Sequence, residues 1–168
     1  MLSTVPSGTG FQPTPEQLQV LQTASEFAYQ VWQSRTGACQ TFLRSYPLQI
    51  TLTRQQIDDL IQDYTLDENY QLANEDKVMI GLRHLRMLLM MRWIWQDALA
   101  VIELEQLTDE LSEFADGCIL FAKGYTYQQL MAQYGQPTFI DAKGNVQVDD
   151  LAIMAMGKLG AHELNLSS

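Results

Sequence analysis

Apolar residues fall along most of this chain at the three- and four-residue steps that place them on one side of a helix. Leu18, Leu21, Phe27, Val31 and Trp32 keep roughly that spacing. The run predicts helical structure from Thr14 to about Leu43, with a joint near Ser25. Its start is marked by "TPEQ", a threonine cap, a proline at the first helical position and Gln17 after it, the elements of a capping box. "SYPLQITL" interrupts the pattern. Thr53 and Gln56 then repeat the capping signature ahead of Ile57, Leu60 and Ile61, which share one face of a short helix.

The clearest pattern runs from about Glu75 to Val101. Acidic residues open it, where they complement the helix dipole. Leu82, Leu85, Leu88, Leu89, Arg92, Trp93 and Gln96 then mark one side, while Met91, Trp95 and Leu99 widen the apolar surface. A stripe so wide predicts a helix packed on more than one side. A further helix is predicted from a Thr108 cap through Leu111, Phe114, Ala115, Cys118, Ile119 and Ala122 toward Met131, with "YGQP" ending it. After Pro137 the pattern changes. A turn around 143–145 with extended flanks leads into "LAIMAM", an unalternating apolar run that predicts a strand over 151–156 buried on both faces.

The expected organisation is therefore a mobile tail over residues 1–13, a helical region over 14–137, and the opening of an α/β domain over 138–168. At 168 residues and 46% hydrophobic content the chain is large enough for one domain or one domain and the start of another. Its formal net charge of −10 argues against a surface made to follow nucleic acid or anionic lipid. Cys39 and Cys118 are the only cysteines, too few for a disulfide framework or a four-ligand zinc site. "MLSTVPSGTGFQPTP" lacks the basic start and apolar run of a secretion signal, and Arg92 interrupts "MLLMMRWIW" well short of the roughly 20 residues a membrane span needs. A soluble, cytoplasmic protein is expected.

The candidate chemistry lies in "MGKLGAHELNLSS". Gly157 and Gly160 flank Lys158 and Leu159 directly after the predicted strand, where glycines admit close backbone approach and helix-start amides favour an anion. The spacing fits neither a Walker A loop nor a dinucleotide fingerprint, and Leu166 stands where a zinc-protease motif needs its second histidine. On the residues alone, a structural turn and an anion-binding turn both stay open. Asp149 and Asp150 read as solvated turn residues. Arg83, Arg86 and Arg92 read as ion-pairing or surface-covering side chains, and Met87, Met90 and Met91 as core filler. His84 reads as structural.

The string G-K-L-G-x-x-E-L-N-x-S-S at 157–168 closely resembles the glycine segment of the glutamine synthetase adenylyltransferase/adenylyl-removing enzyme family. "SEFAYQVW", "LRHLRMLLMMRWIWQDAL" and "YGQP" resemble other parts of it, so the likeness covers roughly residues 20–168. Ala155 and the Ala161–His162 pair depart from glycine-containing positions of the family.

The resemblance implies a polymerase beta-like nucleotidyltransferase domain, in which Gly157, Lys158, Gly160, Ser167 and Ser168 belong to the phosphate-side turn. It implies Mg²⁺ held by an Asp-x-Asp pair just after the two serines, so that no catalytic residue and no metal ligand falls within these 168 residues. Glutamine synthetase, the PII signalling protein, ATP or ADP and phosphate are the implied partners of the parent enzyme. Met156 and Asn165 favour the adenylyl-removing copy. The chain alone is expected to be inactive. The alternative is an interaction module or scaffold that docks glutamine synthetase or PII.

Overall fold

A computed structural model describes residues 11–69, 71 and 73–166; the tail expected over 1–13 lies largely outside these residues. The architecture is mainly helical. Helices α1 (Pro15–Ala24), α2 (Glu26–Ser34), α3 (Thr36–Ser45), α4 (Arg54–Thr65), α5 (Glu75–Ala98) and α6 (Leu104–Tyr134) are followed by a hairpin of β1 (Thr138–Ile140) and β2 (Val146–Val148), and by a single helical turn, α7 (Gly157–Gly160).

Local chemistry sets the ends. Thr14 accepts from the Gln17 amide while the Gln17 side chain accepts from the Thr14 amide, and Thr53 with Gln56 does the same. Ser25 ends α1 and caps α2 by accepting from the Ala28 amide, so the joint expected there is real. A second joint falls at Arg35, between α2 and α3. Helix α6 starts earlier than its pattern suggested. Glu103 and Gln106 form the capping box, and the Thr108 hydroxyl, expected to be a cap, donates to the Glu105 carbonyl from inside the helix.

Helix α5 is the centre of the bundle, packed against α1, α2, α4 and α6. Leu85, Leu88, Leu89, Met91, Trp93 and Trp95 are all buried on it, which accounts for the wide apolar stripe. Met87 and Met90 pack against the same core, so the methionine patch is filler. Phe27, counted in the apolar spacing of the first helices, is instead exposed, and Ala28 takes the buried place. Helices α4 and α5 approach so closely that a Cβ on Gly81 would lie 1.8 Å from the Tyr64 carbonyl oxygen.

A buried polar cluster binds the 46–52 loop to this core. Arg92 is fully buried and its guanidinium meets the Glu110 carboxylate at 3.0 Å, while it also donates to the carbonyls of Tyr46, Pro47 and Ile50. Glu110 accepts in addition from Trp93 Nε1 and the Leu52 amide, both at 2.7 Å. Gln96 donates to the Leu48 and Ile50 carbonyls. Each donor of the charged pair thus finds an oxygen, the condition under which a buried charge is tolerated. Arg92 is accordingly an ion-pairing residue of the core.

The hairpin is antiparallel, with Thr138 opposite Val148, Phe139 opposite Gln147 and Ile140 opposite Val146. Asp141 closes its turn by accepting from the amides of Lys143 and Asn145, each at 2.9 Å. The expected strand over 151–156 is absent. Those residues have no ladder partner and are exposed, since an apolar run forms a buried strand only when neighbouring strands and covering helices are there to pair and bury it.

Candidate functional site: the glycine turn and the segment that returns along α6

The turn predicted to carry chemistry is built as a sharp reversal. Met156 is extended, Gly157 has φ of +59°, and α7 follows for one turn. The positive φ suits glycine because an L side chain would crowd the next peptide. Gly160 serves a second need: a Cβ there would stand 2.6 Å from the Ala155 carbonyl oxygen. The two glycines therefore let the chain fold back on itself at Ala155–Gly160, and Lys158 lies between them. Amides of Gly160 and Ala161 donate to the carbonyls of Met156 and Gly157, closing the turn. His162 adopts φ of +55° without being glycine.

The structure thus brings Gly157, Lys158 and Gly160 into one turn. Ser167 and Ser168, assigned to it from the sequence, lie outside the described residues.

What the sequence did not reveal is where this segment rests. Residues 149–166 run back along α6 in the opposite direction. Lys123 Nζ meets Asp150 at 2.8 Å, and Tyr127 donates to the Asp149 carbonyl at 3.4 Å. Beyond the turn, His162 Nε2 stands 3.5 Å from Asp116, and the Leu164 amide donates to Ser112 Oγ at 3.4 Å. Leu164 and Leu166 then pack onto the core. Between the upstream stretch and the helix lies an open groove of about 690 Å³, lined by Ile119, Lys123, Tyr127, Leu130, Leu151 and Ile153 among others. The Lys123 ammonium holds the Asp150 carboxyl below the usual aspartate range.

The residues present do not compose a magnesium site. Asp150 is engaged by Lys123, the Asp149 carbonyl by Tyr127, and no group of three or more potential metal ligands is gathered among the described residues. Hard cations need several converging oxygens. The remaining candidates are structural. His84 stacks edge-on against Tyr64, and burial lowers its pKa, so it is neutral at pH 7. The free thiols of Cys39 and Cys118 are pushed up to about 11 by burial, which leaves them protonated and unreactive. No described helix is long and apolar enough to cross a membrane.

A helical bundle is thus followed by a two-stranded hairpin and a glycine reversal. Residues 15–168 match the glutamate-ammonia ligase adenylyltransferase family, and the chain belongs to that family. It is 39% identical over 165 residues to a bifunctional glutamine synthetase adenylyltransferase/adenylyl-removing enzyme of Acinetobacter baylyi, a match covering 96% of this chain and 17% of that protein. Proteins of the same description from Shewanella frigidimarina and Shewanella woodyi are 40% and 41% identical over 58% of the chain and 10% of their own lengths. The chain thus spans about a sixth or less of the relatives it matches.

Proposed function

We propose that this chain is a helical module and the opening of a polymerase beta-like nucleotidyltransferase domain, from an enzyme that adjusts glutamine synthetase by adding and removing AMP. The observation that carries the reading is the reversal at Ala155–Gly160, where one glycine takes a left-handed φ and the other admits backbone contact. A turn of that shape brings main-chain amides near an anion, and the family match spans it. In this reading Gly157, Lys158 and Gly160 stand on the phosphate side, with Ser167 and Ser168 following. Met156 and Asn165 favour the adenylyl-removing copy, whose reaction transfers AMP from a tyrosine of glutamine synthetase to phosphate and yields ADP.

The carboxylates that would hold Mg²⁺ are assigned to an Asp-x-Asp pair following Ser168 in the family, and the described residues offer no substitute set. In this reading the 168-residue chain is expected to be inactive by itself. PII and ATP belong to the parent enzyme. Incubating the pure chain with adenylylated glutamine synthetase and phosphate is expected to release no ADP, and chain-dependent ADP formation would refute the inactivity. Reading the gene past codon 168 tests the rest: an Asp-x-Asp directly after "NLSS" is expected, and its absence together with retention of glutamine synthetase or PII in a pull-down would favour an interaction module.

A further inference from the structure

The α6 residues that receive the returning segment are Ser112, Asp116, Lys123 and Tyr127. Steps of four, seven and four keep them on one side of a helix with 3.6 residues per turn. Leu107, Glu110, Leu111, Phe114 and Gly117, which are buried, occupy the other side, and Ser112 is buried as well, its hydroxyl donating to the Thr108 carbonyl. Helix α6 therefore has two faces with different occupants: the bundle on one, the chain's own 149–166 segment on the other.

The glycine turn lies between the two sets of attachments. Residues 151–158 are exposed, so little packs on the turn itself and its location is inherited from its ends. The upstream end is fixed by Asp150 on Lys123. The downstream end is fixed by Leu164 on Ser112, with Asp116 facing His162 and Leu164 and Leu166 seated on the core. We propose that Ser112, Asp116 and Lys123 are positioning residues: through them α6 sets where the turn at Gly157–Gly160 sits relative to the helical body. They touch no reacting atom. Their role is to make the bundle a rigid reference for the turn, and it rests on the reading of that turn as the phosphate-side element.

Two variants of the full 168-residue chain separate positioning from charge. Ser112→Ala removes an attachment without altering charge. Asp150→Asn removes the ion pair with Lys123 from an exposed residue, so the bundle's folding is untouched, and it also deletes a negative charge. Charge alone predicts that Asp150→Asn binds an anion more tightly; positioning predicts weaker binding. Backbone amide spectra give both readouts, the hydrogen-exchange rates at Gly160 and Ala161 and the shifts of the turn on titration with inorganic phosphate. Each variant is expected to raise exchange at the turn by roughly threefold, the scale of a partly exposed polar contact, with helix exchange unchanged, and to weaken phosphate binding by a similar factor. Lys123→Arg, which keeps the ion pair, is expected to behave as the parent chain. Unchanged exchange at the turn in both variants would overturn the proposal, as would tighter phosphate binding by Asp150→Asn with Ser112→Ala unaffected. If phosphate leaves the parent chain's turn amides unmoved, the phosphate-side reading fails, and the exchange rates still decide the tether.

Discussion

Residues 15–117 and residues 118–166 are continuous through one helix, yet they are stabilised in different ways. None of the described residues after Gly117 is buried, whereas the helices before it enclose Trp93, Trp95, Leu85 and a hydrogen-bonded ion pair. The first region gains its order from burial, which is cooperative and large. The second gains it from turn closure, a short ladder, single polar contacts with α6 and the partial packing of Cys118, Phe121, Leu164 and Leu166 on the core. The glycine turn belongs to the second kind, so it can be repositioned without unfolding the bundle.

The most damaging way to test the first region is through Glu110. It is the common acceptor for Arg92, Trp93 and the Leu52 amide. Glu110→Ala would leave a buried guanidinium without its counter-charge and two further donors unpaired, at a cost of about 3–5 kcal/mol. Urea titration followed by circular dichroism is the check, and a midpoint close to the parent's would mean that the cluster does not hold the bundle. Gly81→Ala comes next. In an open helix this change stabilises by about 0.5–1 kcal/mol, but here the new Cβ lies 1.8 Å from the Tyr64 carbonyl oxygen. The expected sign is reversed, with roughly 1–3 kcal/mol lost as α4 is pushed from α5, so the direction of the shift is itself decisive.

Those two residues also mark what was legible in the sequence. Capping boxes at Thr14 and Thr53 are local hydrogen-bond codes, and both were readable because every partner lies within one turn. The α5 stripe was readable because burial on several sides leaves an apolar excess on the helix surface. Glu110 was not, because its partners on α5 and in the 46–52 loop are far away along the chain. The start of α6 was misplaced for a nearer reason: glutamate is a less familiar cap than threonine, and Glu103 with Gln106 does the work assigned to Thr108. In the glycine segment Gly157 and Gly160 were legible as a turn, since only backbone geometry is at stake. Ser112, Asp116 and Lys123 were not, as their four- and seven-residue spacing is shared by any helix face, and nothing in it names the segment that will lie there. The strand expected over 151–156 failed for the same non-local reason, a ladder needing a partner.

Acid is expected to act on the second region through two carboxylates. Asp141 is held below the usual aspartate range chiefly by the Asn145 backbone amide, and Asp150 by its hydrogen bond from Lys123. For a carboxyl with a depressed folded value, the stabilising contribution is complete above the unfolded value, about pH 4, and is lost as the pH falls through the folded one. Titration from pH 7 should therefore leave the Lys143 and Asn145 amides unchanged to about pH 4, then shift them together with those of 149–151. Loss of the hairpin signals well above that pH would mean that the two carboxylates do not hold it.

The smallest effect separates the regions most cleanly, because it uses one residue type in both. Met154 and Met156 are 86% and 83% exposed, while Met91 is fully buried in α5. Replacing either exposed methionine by serine removes almost no contact and should move stability by no more than about 0.5 kcal/mol. Met91→Ser opens a cavity in the core and buries a hydroxyl, so a loss of at least about 2 kcal/mol is expected. Thermal melts of the three variants give the answer. Equal, small shifts would deny α5 its central place in the core. Large losses at Met154 or Met156 would mean that the apolar run over 151–156 is already covered in solution, and that the contrast between the two regions is weaker than their burial indicates.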